Sequence, residues 1–156
     1  MAHKAKKKRG VFAFATFACD GLLYQTENGT AETLLPHDAP ERELLVDAGQ
    51  QLVDTLEART AYTPVLNSVL LMRGDDAAKR TALACHAEKK ALGALVRRSA
   101  DGKSTLRVGV NIRMCRDCHA AFAAASEMLQ RPLECDDAAN VHRFEGGVCS
   151  CGDRWR

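Results

Sequence analysis

No apolar run in the 156-residue chain approaches the ~18 residues of a membrane span, which excludes a helical membrane anchor within it. A secretory leader is not evident either. The basic start is followed by an apolar stretch ending near Ala18, but that run is only about eight residues and alternates like a strand. Internal repeats and low-complexity linkers are absent. A charge excess is missing as well: 22 basic residues face 20 acidic ones. Five of the basic residues (Lys4, Lys6, Lys7, Lys8 and Arg9) precede the first acid, so the remainder is mildly acidic and no broadly basic nucleic-acid binder. Nor is there an even cysteine count. Seven cysteines in C-x-x-C and C-x-C spacings argue against a simple disulfide framework and favour a metal in a reducing compartment.

What is present suffices for one domain. An apolar fraction of 46% excludes general disorder, and a chain of this length buries roughly two-thirds of its unfolded surface. Residues 1–10 read as a basic flexible tail and residues 11–156 as the domain. Residues 11–35 predict a small antiparallel meander, with Asp20-Gly21 and Asn28-Gly29 as turn signals. Pro40 opens a helix ending near Arg59 or Thr60, with Leu45, Leu52 and Leu56 on one face. Residues 61–74 read as a packed connection. Asp75 and Asp76 favour a helix N-terminus, and Ala77 to Arg98 is mostly helical. A buried strand follows over Leu106–Ile112, a helix with a small Ala-rich face over Cys115–Leu129, and a short strand over Leu133–Cys135. Everything after Asp136 looks loop-like and in need of a staple.

Two features carry chemistry: His86-x-Glu88, and Cys115-x-x-Cys118 at a strand-to-helix junction. Neither is specific alone, since a His beside a Glu on a helix is usually a solvated pair. Together they match the zinc nucleobase-deaminase signature, in which one His and two Cys hold Zn²⁺ and the Glu moves protons. Three protein ligands leave a fourth tetrahedral position for water. On an ideal helix, residues i and i+2 point about 200° apart, so His86 and Glu88 share a site only at a helix's first turn. Cys115 and Cys118 would likewise project from an N-terminal turn, where the dipole favours thiolate. The haem-attachment pattern C-x-x-C-H and a thioredoxin-like pair are alternatives, but both leave His-x-Glu unused. A second set, His119, His142, Cys149 and Cys151, offers four donors, the closed tetrahedral arrangement of a structural zinc. It would clamp the C-terminal segment, residues 136–156, onto the helix bearing Cys118.

The stretch TAYTPVLNSVLLMRGDDAAKRTALACHAEKKALGALV, the block IRMCRDCHAAF and the ending VHRFEGGVCSCGDRW resemble the DYW domain. That domain is the cytidine deaminase of plant-type pentatricopeptide-repeat RNA-editing factors. The resemblance covers residues from about 11 to 155. It implies an α/β, cytidine-deaminase-like fold with a central β-sheet flanked by helices, and C-to-U deamination of single-stranded RNA. Two Zn²⁺ are implied: a catalytic one on His86, Cys115 and Cys118 beside Glu88 as proton shuttle, and a structural one on His119, His142, Cys149 and Cys151. Residues 61–80 are similar to the family's gating insertion over the active site.

The chain departs from the family pattern at Asp153-Arg154-Trp155, at His142-Arg143 where a double histidine is usual, and in lacking the Pro-Gly opening of the first strand. None of these removes a predicted ligand or Glu88. Target selection would come from a pentatricopeptide-repeat partner, another editing factor or a repeat region outside this chain. A mitochondrion or plastid is the compartment the resemblance implies. Two competing readings stay open: a toxin-type deaminase acting on DNA or free nucleotides, and a non-catalytic zinc module that docks other editing factors.

Overall fold

The computed structural model describes residues 13–19, 21–29, 40–69, 73–98 and 102–152, with the side chains of residues 40 and 41 left aside. The expected basic tail, the third arm of the meander and the Asp-Arg-Trp ending lie outside those residues. The described chain is α/β, a mixed six-stranded sheet flanked by helices. Strands β1 (Phe14–Cys19) and β2 (Leu22–Glu27) form the expected hairpin, turning at Gly21, whose φ of 80° suits glycine. β1 buries Ala15, Phe17 and Cys19 on one face, the period-two pattern that its sequence shows.

The helix expected from Pro40 is broken in two, α1 (Pro40–Leu45) and α2 (Ala48–Arg59). Asp47 takes a left-handed conformation at the break. The Arg97 guanidinium donates to Leu44 O at 2.9 Å and Val46 O at 2.7 Å, satisfying carbonyls that a continuous helix would have used itself. The next helical stretch also divides. α3 (Asp76–Ala84) is capped by Asp75, whose side chain accepts from Ala78 N at 2.9 Å. α4 (Ala87–Arg98) starts directly after His86.

β3 (Leu106–Val110) runs antiparallel to β1 and parallel to β4 (Leu133–Asp136), with α5 (Arg116–Leu129) as the crossover between them. The segment after Asp136 corrects the sequence reading. It is a hairpin, β5 (Val141–Glu145) and β6 (Val148–Cys149), which extends the sheet to the order β2-β1-β3-β4-β5-β6. Its inward residues are His142 and Phe144, so a buried histidine takes half of the pattern that hydrophobic residues would normally mark. Phe122 of α5 and Phe144 of β5 lie with ring centroids 5.5 Å apart and join that helix to the sheet. No helix among the described residues is long and apolar enough to cross a membrane.

Candidate metal and deaminase centre

His86 sits where α3 has ended and α4 has not begun. Its backbone N–H closes the turn onto Leu83 O, and its carbonyl accepts from Lys89 N and Lys90 N. The first turn of α4 is fixed from outside by Asn28, whose Oδ1 accepts from Ala87 N at 2.7 Å. Lys90 adds a second latch, its ammonium bonded to Glu27 O and Gly29 O. His86 and Glu88 are thus held at a helix entrance, the geometry that two residues so spaced require.

Cys115 is the N-cap of α5, its sulfur accepting from Cys118 N at 3.4 Å. His86 Nδ1 lies 3.5 Å from both Cys115 Sγ and Cys118 Sγ. Metal–N bonds of about 2.0 Å and metal–S bonds of about 2.3 Å in a tetrahedron separate N and S by about 3.5 Å, so this donor set fits a zinc-sized ion. His86 and Cys115 are half-buried while Cys118 is buried, which leaves one side of the cluster accessible.

The acid–base character of the residues follows their surroundings. Burial pushes the Glu88 carboxyl upward, with Cys115 adding and the charges of His86 and Lys89 opposing. The Cys118 thiol, hydrogen-bonded to Cys115, brings the latter down to about 4 against the opposing effect of burial, with His86 and Lys89 assisting. Burial, with Cys115 beside it, drives Cys118 the other way.

The other cluster is more enclosed. His119, His142 and Cys149 are buried and Cys151 is half-buried. Cys149 Sγ lies 3.4 Å from His142 Nδ1, and Cys151 Sγ lies 3.4 Å from His119 Nε2, again the spacing of a tetrahedral N/S set. Rings wall it: His119 and His142 meet edge-on at 5.2 Å, and Phe144 packs on both. One donor comes from α5, one from β5, and two from β6 and the turn beyond it. An ion there would pin the hairpin to the helix that also carries Cys118. Gly147 N, at the hairpin's tip, already donates to Ser126 Oγ on α5 at 3.0 Å. Among the described residues these are the two groups of donors close enough to share an ion, and they contain all seven ligands expected from the sequence.

Three charged residues next to the clusters escaped the sequence reading. Lys89 and Asp117 form an ion pair at 2.5 Å with neither side chain exposed. Asp117 Oδ1 also accepts from Tyr62 OH and Val65 N, both at 2.8 Å, and Asp117 N donates to Ser68 Oγ. Burial would strip the proton from Lys89, but the charges of Cys118, Asp117 and Cys115 outweigh it and raise its affinity. The third is Asp137, which faces His142. A signal for Lys89 did exist, since a residue three beyond His86 shares its side of the helix. For Asp117 the only hint was its position between Cys115 and Cys118, the two candidate ligand cysteines.

Residues 61–155 match the DYW family of nucleic acid deaminases. The chain is 33% identical over 147 residues to the mitochondrial pentatricopeptide repeat-containing protein OGR1 of Oryza sativa subsp. japonica, an overlap covering 94% of this chain and 24% of that one. A chloroplastic pentatricopeptide repeat-containing protein of Arabidopsis thaliana is 33% identical over 116 residues, 74% of this chain and 12% of the relative. Another from Arabidopsis thaliana is 40% identical over 87 residues, 56% of this chain and 16% of the relative. The chain therefore spans about a quarter or less of the length of the curated relatives it matches. The match over most of its length, with both donor clusters inside it, shows that the chain belongs to the DYW family of nucleic acid deaminases.

Proposed function

We propose that this domain converts cytidine to uridine in single-stranded RNA by hydrolysis, with Zn²⁺ in both clusters. The observation that carries the reading is a buried Glu88 two residues from His86 at an accessible three-donor cluster. Zinc on His86, Cys115 and Cys118 would supply Lewis-acid activation of the hydrolytic water. Glu88 then acts as the proton carrier. It takes a proton from the water that adds at C4, delivers it to N3, and assists departure of N4 as ammonia, while the water oxygen stays as O4 of uridine. Its raised proton affinity suits both directions of transfer. His119, His142, Cys149 and Cys151 would hold the second zinc with four protein donors, and it would supply a structural tie for the C-terminal hairpin.

Residues 61–80 act as a gating-type insertion. Support comes from Tyr62, Val65 and Ser68, which engage Asp117 between the two ligand cysteines. Target choice comes from pentatricopeptide repeats, in cis or on a partner, which read RNA one base per repeat. The relatives bear that name, and some are named mitochondrial or chloroplastic, which supports an organellar setting.

The test is to fuse the chain to a repeat array of known target and sequence that RNA for changes in both directions. Single-stranded DNA and free cytidine serve as parallel substrates. Conversion of the targeted cytidine, lost in Glu88→Gln while two zinc ions remain bound, is expected. Conversion that persists in Glu88→Gln overturns the mechanism. Conversion of DNA or free nucleoside alone assigns the toxin-type substrate, and none at all leaves a docking module.

A further inference from the structure

Lys89 has no part in the proton transfers above, yet it is among the largest fully buried side chains of the described residues. An ammonium has three N–H donors, and three acceptors surround this one. Asp117 Oδ2 lies 2.5 Å away, Leu83 O accepts at 2.8 Å, and Cys118 Sγ lies at 3.2 Å. A simple ion pair would need only the carboxylate. Directing the third donor at a ligand sulfur is a different use of a charge that is costly to bury.

We propose that Lys89 is a positioning residue for the cluster, donating an N–H···S hydrogen bond that sets how much charge Cys118 gives to the bound metal. This rests on reading His86, Cys115 and Cys118 as a metal site. Two thiolates nearly cancel a divalent charge. Drawing density from one of them leaves the metal a stronger Lewis acid without removing a ligand. Asp117 keeps the ammonium in place, since its Oδ1 is held by Tyr62 and Val65 and its Oδ2 faces Lys89. The carboxylate between the two ligand cysteines thereby has a purpose that ligation does not explain.

Cobalt replaces zinc in such sites and makes sulfur ligation visible as near-ultraviolet charge-transfer bands. The full chain loaded with Co²⁺ is compared with Lys89→Met, Lys89→Arg and the double variant Lys89→Met/Asp117→Asn. The double variant removes the carboxylate that the single change would leave buried without its cation, so it keeps a folded comparison available. Loss of the N–H···S bond raises the energy of the sulfur electrons. Part of the band envelope should therefore move to longer wavelength in both Met variants, with the contribution of the second cluster unmoved. Lys89→Arg, which keeps a donor, should stay near the parent. The zinc forms of the Met variants should lose about tenfold or more in kcat with KM within about twofold. Bands unmoved in a folded double variant that binds two cobalt equivalents would overturn the proposal. Absence of such bands in the unaltered chain would overturn the metal reading beneath it.

Discussion

Asp137 Oδ2 lies 3.1 Å from His142 Nε2, and neither side chain is exposed. The same oxygen accepts from Met114 N at 3.0 Å, while Oδ1 accepts from Ala139 N and Asn140 N. Burial would raise this carboxyl, but those three backbone donors and His142 hold it below its ordinary value. Asp137 therefore fixes the His142 ring with Nδ1 facing Cys149, and ties the residue before Cys115 to the same point. A carboxylate behind a ligand histidine is worth roughly 10–100-fold in metal affinity. Asp137→Ala should loosen the second zinc by that order and cost on the order of 3 kcal/mol through its lost backbone bonds. Competition with a chromophoric chelator and a thermal melt measure the two effects. Unaltered zinc retention would show that Asp137 merely shapes the loop.

The second cluster should act as a staple whose removal is local. Cys149→Ala is expected to bind one zinc where the unaltered chain binds two. Phe144 and Cys149 are partners in the β5–β6 register, so their amides should exchange faster in that variant. Amides of β1 and β3, remote from the cluster in the sheet order, should change least. Metal analysis gives the stoichiometry and hydrogen exchange locates the loosening. A single zinc in the unaltered chain would refute the two-site arrangement.

The candidate ligands were legible because metal chemistry constrains residue type and spacing more tightly than packing does. His-x-Glu, C-x-x-C and C-x-C each state a geometry, and the structure places all seven donors in two groups. The helical regions were legible by periodicity, but their interruptions were not. Nothing in the local pattern shows that Arg97, fifty-three residues later, would bind Leu44 O and end α1 there. The β5–β6 hairpin was missed because its inward positions carry a histidine and its outward ones include exposed Val141 and Val148. That blurs the usual alternation, although Phe144 and Cys149 do face inward. Lys89, Asp117 and Asp137 were missed for a related reason. A charged residue reads as solvated until its partner is known, and each partner lies far off in sequence or on another element.

Tyr62 offers a test of the gate. Its hydroxyl donates to Asp117 Oδ1, the oxygen that also receives Val65 N. Tyr62→Phe keeps the ring and removes that bond, a loss of about 1 kcal/mol. Exchange at the Val65 amide should rise. If the segment restricts access to the cluster, kcat/KM for targeted RNA should rise with it. Faster exchange with unchanged kcat/KM would remove the gating role while leaving the anchoring contact intact.

The helix that begins directly after His86 and carries Glu88 is seated by glycine. A Cβ on Gly93 of α4 would stand 2.3 Å from Ala48 O, and one on Gly49 of α2 would stand 2.0 Å from Ala84 O. Both obstacles are backbone atoms, so no rotamer change relieves them. Alanine gains about 1 kcal/mol in helix propensity over glycine. Overpacking typically costs about 1–3 kcal/mol and more where the obstacle is rigid. The clash should win. Gly93→Ala is expected to lower Tm by several degrees, at about 2–4 °C per kcal/mol for a domain of this size. The shift should reach the chemistry too, because a displaced α4 carries with it the turn that Asn28 caps at Ala87. Conversion should therefore fall even at temperatures where the variant remains folded. A Gly93→Ala chain melting at or above the parent would mean that the two helices do not approach as closely as described.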